Sequence, residues 1–480
     1  MTQPVRIEHD LLGDRAVPAG AYYGIHTLRA LENFPITGTP ISIYPDLVGA
    51  LACVKQAAAI ANAELGLLDE KRSTAIRRAC EEIREGRLHE EFVVDVIQGG
   101  AGTSTNMNAN EVACNRALEL LGHAKGEYQH LHPLDHVNLS QSTNDVYPTA
   151  VKLALHFGIQ RLLAEMQSLR KSFQAKAREF EAVLKVGRTQ LQDAVPMTLG
   201  QEFSTYAVML GEDELRLAEA QALIREVNLG ATAIGTGINA HPDYAPLVTR
   251  RLSEIANVPF LVSPNLVEAT QDAGSFVQLS GVLKRIAVKL SKTCNDLRLL
   301  SSGPRAGLGE IRLPPVQAGS SIMPGKVNPV IPEVVNQVAF EVIGNDMTVT
   351  MAAEAGQLQL NAFEPVIAHS LFKSLSHLAA ACRTLDERCV RGIEADVARA
   401  RRLLDESTAL VTALTPVLGY ARSAEIAREA LATGQRIYDL VLAKGWMSRA
   451  HLDEVLQPEM LTRPSRAMVA PSKGKTEEGR

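Results

Sequence analysis

Long apolar stretches at helical spacing alternate with short, dense runs of small polar residues along this 480-residue chain. Proline gaps frame the apolar stretches: none lies between Pro148 and Pro196, Pro264 and Pro304, Pro332 and Pro365, or Pro365 and Pro416. In the first gap Leu153, Phe157, Ile159, Leu162, Leu163, Met166, Leu169 and Phe173 recur at the period of a helix. In the second, Phe276, Val277, Leu279, Val282, Leu283, Ile286, Ala287 and Leu290 do the same. This spacing predicts helices of about 25–35 residues, or about 40–50 Å at roughly 1.5 Å per residue. Helices of that length need partners along their whole extent, so a bundle follows. The stripes are wide, with Ala, Val and Leu on more than one side. Such stripes predict burial against several neighbours, other copies of the chain included.

The expected architecture is therefore mainly all-α. Residues 1–140, which mix short helical patterns with turns, are read as an N-terminal domain. Residues 141–395 are read as a central long-helix bundle and 396–470 as a small helical C-terminal domain. The charged, apolar-poor segment 471–480 is expected to be a disordered tail. No internal repeat is visible.

Composition narrows the function. Net charge is −5 with a pI near 6.2, and aromatic residues make up 4%. There is no basic footprint for nucleic acid or anionic lipid, and little aromatic surface for base stacking. No run approaches the roughly 20 apolar residues of a membrane span, and the first residues lack the apolar core of a signal peptide. Six scattered cysteines without a CxxC pair read as reduced, buried thiols, so a cytoplasmic location is expected.

Four polar runs stand at the edges of apolar stretches: Gly99–Asn108, Asn138–Asp145, Gly187–Asp193 and Gly319–Pro329. The last places Ser320 and Ser321 between Gly319 and Gly325, just before Lys326 and Asn328. Glycines let the backbone curl so that several N–H groups face one anion, and Lys326 adds a positive charge. Each run alone is adequately read as a helix cap or turn. A cap needs one polar residue rather than five or six, so four such runs together point to a site for a small dianion. Gly99–Gly102 lacks both the P-loop ending and a GxGxxG spacing. His130, His132, Asp135 and His136 could be read as a zinc cluster, but Pro133 interrupts them and no fourth ligand is evident. No metal and no cofactor are expected.

At these runs the sequence resembles the fumarase/aspartase superfamily. The resemblance rests on the loop Gly319–Pro329, on Ala21–Arg29, Gly102–Val112, Gln141–Asp145, Val227–Gly237 and Leu300–Leu308, and on Asn345, Asp346 and Thr350–Asn361. It covers nearly the whole chain apart from the tail. Within the superfamily the chain is most similar to the aspartase branch. Fumarases usually have Thr-His where this chain has Thr189-Gln190, and they tend to have a second serine where it has Thr143. Gln190 cannot titrate, so the histidine–carboxylate relay that activates water in fumarases, through the acid matching Glu333, would be absent. An amine leaves as neutral ammonia without such a relay.

The resemblance implies reversible elimination of ammonia from L-aspartate to give fumarate. Ser320 would act as the base. One carboxylate would be held by Thr103, Ser142, Thr143 and Ser321, the other by Lys326, Asn328 and Thr189, with Asn144 and Gln190 facing the amino group. It further implies a homotetramer with a multi-helix core, each site shared among three subunits. A fumarate hydratase and a catalytically silent structural homologue remain as alternatives. Argininosuccinate and adenylosuccinate lyases fit the runs between 102 and 203 poorly. The stretch His132–Asp135 resembles a region carrying an accessory carboxylate pocket in some fumarases, and whether one exists here is open.

Overall fold

The structure is a computed structural model and describes residues 4–464; the segment read as a tail, 471–480, lies outside the described residues. Five long helices dominate: Thr143–Glu179, Leu199–Leu223, Gly274–Leu300, Val330–Glu354 and Glu364–Arg388. Four of them occupy the four proline gaps. Leu199–Leu223, between Pro196 and Pro242, is a long helix that the proline gaps had not singled out. The longest has 37 residues, about 55 Å at roughly 1.5 Å per residue. Strands are short and pair only in two-stranded sheets among the described residues. The fold is mainly helical, as expected. No helix among the described residues is long and apolar enough to cross a membrane.

The helix Thr143–Glu179 begins before Pro148, which the proline reading takes as its boundary. A proline at that depth removes one N–H and frees the carbonyl four residues earlier. That carbonyl belongs to Asn144, and it accepts the side-chain N–H of Asn228 at 3.0 Å instead. The helix is thus carried through its proline by an outside donor.

Contacts divide the chain into two compact units. One comprises the chain up to Glu165, with Asp213–Val288 and Gln337–Ala380; the other comprises Met166–Glu212, Lys289–Asn336 and the chain from Ala381. In the first unit, the helix Pro45–Glu64 buries most of its length and packs beside Glu70–Arg84 and Tyr244–Ala256. Ser280 and Lys284 both donate to buried Asp346, at 2.8 and 2.6 Å, tying Gly274–Leu300 to Val330–Glu354. In the second unit, Phe173, Phe180, Phe203 and Tyr206 form tilted and edge-on pairs with centroids 5.2–6.1 Å apart. The hairpin Leu184–Thr189/Gln192–Thr198 lays Leu184 and Val186 into a core with Leu404, Leu414, Ile426 and Leu452.

Candidate active site

The expected site residues fall in both units. Thr103, Ser142, Thr143 and Asn144 belong to the first; Thr189, Gln190, Ser320, Ser321, Lys326 and Asn328 belong to the second.

In the first unit, Thr103 opens the helix Thr103–Leu120 after three successive left-handed residues, Gly100, Ala101 and Gly102 (φ +90°, +55°, +88°). A Cβ on Gly102 would sit 2.5 Å from the Tyr147 ring, so only glycine fits the turn. The exposed Thr103 hydroxyl donates to Gly100 O at 2.8 Å. Ser142–Asn144 start the 37-residue helix. The Asn144 N–H donates to Ser142 Oγ at 3.2 Å, and the Asn144 side chain donates to Ala233 O at 2.7 Å. Asn106 links the two helix starts: from the Thr103–Leu120 helix its Nδ2 donates to Thr143 Oγ1 at 3.0 Å. With a lone pair so occupied, the Thr143 hydroxyl keeps its hydrogen for an anion.

Two buried charges stand behind this face. Asp145 is fully buried and accepts from the N–H groups of Ser142, Gly230 and Thr232 at 2.9–3.0 Å, which fixes the loop 230–232 to the helix start. Burial pushes its carboxyl up to about 6, against the pull of these N–H groups and of Lys55. Lys55 donates to three amide oxygens, Asn106 Oδ1 (2.7 Å), Gln141 Oε1 (2.9 Å) and Asn138 Oδ1 (3.0 Å). Burial draws its ammonium down to about 7, with Asp145 opposing.

In the second unit, Thr189 pairs with Gln192 across a two-residue turn, Gln190-Leu191. Both turn residues have positive φ (+55° and +62°), as a type I′ turn requires, although neither is the glycine or asparagine that takes this geometry readily. Thr189 and Gln190 are exposed at the hairpin tip. Strain accepted at an exposed tip fits a side chain held there for use.

The serine loop closes on itself at its base. Gly319 N donates to Lys326 O at 2.8 Å, and Asn328 Nδ2 donates to Gly319 O at 2.8 Å. A Cβ on Gly319 would meet Lys326 O at 2.6 Å. Within the ring so formed, the N–H groups of Ile322 (3.2 Å) and Met323 (2.9 Å) both donate to Ser320 Oγ. Two backbone donors converging on one hydroxyl oxygen would stabilise it as an alkoxide. Ser321 and Lys326 are exposed, as are the apolar side chains of Ile322, Met323 and Val327.

Lys55 and Asp145 were not among the expected site residues. Lys55 had a signal: it is the lone charge between Asp46 and Glu64 in an otherwise apolar helix with one glutamine and one asparagine. The amide oxygens that take its charge come from Asn106, Asn138 and Gln141, which the polar runs contain but do not connect to it.

Comparison with known proteins gives a consistent set of relatives. Residues 13–344 match the lyase family model, and residues 410–463 match the fumarase C C-terminus model. Aspartate ammonia-lyase of Pseudomonas fluorescens is 60% identical over 460 residues, covering 96% of each chain. The cobalt-bound crystal structure of fumarate lyase:delta crystallin from Brucella melitensis is 58% identical with a TM-score of 0.94, over 96% of this chain and 100% of that one. Recombinant class II fumarase from Schistosoma mansoni is 35% identical with a TM-score of 0.91, over 95% of this chain and 99% of that one.

Proposed function

Because the chain belongs to the fumarase/aspartase lyase superfamily, we propose that it is an aspartate ammonia-lyase, converting L-aspartate reversibly to fumarate and ammonia. The observation that carries the chemistry is the pair of N–H groups aimed at Ser320 Oγ. A serine hydroxyl is a base near neutrality only if its alkoxide is stabilised, and these two donors supply that, with Lys326 adding a positive charge to the same loop.

In the proposed reaction the Ser320 alkoxide takes a proton from the carbon next to the β-carboxylate. The electron pair moves into that carboxylate, giving an aci-carboxylate with two negative charges. Lys326, Asn328 and Thr189 hold one carboxylate; Thr103, Ser142, Thr143 and Ser321 hold the other. Asn328 has one N–H on Gly319 O and a second to give. Return of the electron pair forms the C=C bond and expels the amine as ammonia. Serine is left as the neutral hydroxyl and releases its proton to solvent. Asn144 and Gln190 orient the amino group. Gln190 offers no titratable group to activate water, which favours ammonia elimination over hydration.

The working assembly is proposed to be a homotetramer in which three subunits build each site. The helix Val330–Glu354 supports this: Phe340, Met347 and Met351 are 61–65% exposed at helical spacing, an apolar stripe that needs a cover. A cytoplasmic location accords with six cysteines that are all buried and unpaired.

The direct test is to add L-aspartate to purified protein and follow the ultraviolet absorbance of fumarate. Absorbance that grows with release of ammonia is the expected result. Hydration of fumarate to malate at a greater rate, or no turnover of either substrate, would refute it.

A further inference from the structure

The histidine-rich stretch 130–136 is not one cluster. His132 Nδ1 accepts the N–H groups of Leu134 (3.2 Å) and Asp135 (3.3 Å), and His136 Nδ1 accepts the N–H of His132 (2.8 Å). Those two rings are turned to the backbone and cap a short turn. His130 instead comes back to residues the linear sequence separates from it. Its ring stacks on that of His123 with centroids 3.8 Å apart and planes within 7°. Glu127 lies between them in sequence, with Oε2 3.6 Å from His123 Nδ1. One ligand atom from each of the three lies within 4.8 Å of the others.

We propose that His123, Glu127 and His130 form a binding site for a late first-row divalent metal of the zinc or cobalt type. Two imidazoles with one carboxylate suit such ions, whereas magnesium and calcium prefer all-oxygen shells. The loop is built to hold these side chains. Glu127 Oε2 accepts Ala124 N at 2.9 Å, and the His130 N–H donates to Glu127 O at 3.1 Å. Gly122 and Gly126, both at φ +84°, let the chain curl, and Gly126 N donates to Asn115 Oδ1 at 2.8 Å. Among the described residues no hydrogen bond occupies a ring nitrogen of His123 or His130, so ligation would displace none. A metal bound to imidazole lies in the ring plane, so the two parallel rings must each tilt towards it. The χ2 torsion that does this is soft, and His130 is exposed. Three protein ligands leave further positions to water. The site lies in the connection between the helices Thr103–Leu120 and Thr143–Glu179, apart from the residues given catalytic roles, and does not depend on them.

The test uses the full-length protein, stripped with a chelator and titrated with Zn²⁺ or Co²⁺ alone. One metal per chain is expected, with visible Co²⁺ bands of low coordination number and a rise in thermal midpoint. The H123A/H130A variant should lose stoichiometric binding and E127Q should weaken it, while H132A and H136A should bind as wild type. Zinc-edge absorption of the wild-type holoprotein needs no variant and should show two imidazole ligands. Wild-type protein that binds neither metal, an edge spectrum without histidine, or an H123A/H130A protein that binds undiminished would each overturn the proposal.

Discussion

Lys55 Nζ donates to Asn106 Oδ1 at 2.7 Å, and the other end of the same amide donates to Thr143 Oγ1 at 3.0 Å. An amide can face a lysine only with its oxygen, so the buried ammonium decides which way Asn106 points. It thereby decides that the Thr143 hydroxyl accepts from the protein and keeps its hydrogen for the proposed substrate carboxylate. Lys55→Met keeps the length and removes the charge, leaving the buried Asn106 Oδ1 and the part-buried Gln141 Oε1 without their donor, while Asn138 Oδ1 keeps Asn106 Nδ2 and Asn110 Nδ2. Expected outcomes are a loss of about 3 kcal/mol of stability and a rise of about tenfold in KM for L-aspartate, equal to about 1.4 kcal/mol. Denaturant melts and steady-state kinetics measure both. An unchanged KM would separate Lys55 from substrate binding.

The same lysine gives the pH dependence a sign. Its ammonium is drawn down to about 7 by burial, with Asp145 and Cys80 as the facing acids. A bound dianion favours the charged form. Below pH 7 the lysine is already protonated, and binding takes up no proton. Above pH 7 binding must restore the proton, so KM should climb with pH, by up to about tenfold per unit. Lys55→Met should flatten this limb of the KM profile and leave the kcat profile alone. A wild-type KM that is level from pH 6 to 8 would contradict the linkage.

Ser320→Ala should leave melting temperature and assembly unchanged, because among the described residues Ser320 Oγ takes part only in bonds inside its own loop. Its kcat for fumarate formation is expected to fall at least ~10³-fold, as losses of key catalytic groups do. Gly319→Ala asks about the frame around that serine. The added methyl would meet Lys326 O at 2.6 Å and open the base of the ring. The expected result is a large loss of kcat with little change in melting temperature. A variant with normal kcat would show that the closed ring does not hold the base.

Gln190→Gly separates strain from recognition. At φ +55° the substitution relieves a left-handed backbone and should stabilise by up to about 1 kcal/mol. If the amide orients the amino group, kcat/KM nonetheless falls, by about 10–100-fold. A more stable protein with undiminished kcat/KM would remove Gln190 from the site.

How much of this the sequence discloses depends on the kind of constraint. Helix length was legible because a long helix must exclude proline and repeat its apolar residues. The start of Thr143–Glu179 was not, since Asn228, 84 residues from Asn144, supplies the bond that Pro148 costs the helix. The serine loop was legible because glycine and paired hydroxyls are dense there. Lys55 was hidden for the opposite reason: one lysine among alanines and leucines says nothing of the amides that face it. His123 was hidden by the turn that separates it from His130, while local spacing grouped His130 with His132 and His136, two rings that serve the backbone.

The proposed sharing of sites between subunits has a test that no single-chain account passes. Ser320→Ala and Thr143→Val should each be inactive as homotetramers, one lacking its base and the other a carboxylate donor. If Ser320 and Thr143 of a given site come from different subunits, mixed tetramers contain sites with both residues intact. At equal proportions each residue is intact in half the subunits. Random assortment then restores about one quarter of wild-type activity, half times half. If both residues of a site belong to one chain, every site in the mixture lacks one of them and activity stays at the level of the parents. Co-denaturing and refolding the two variants together, with wild type refolded alongside as the yield control, reads the difference directly. A mixture no more active than its parents, at wild-type refolding yield, would place Ser320 and Thr143 of each site on the same chain.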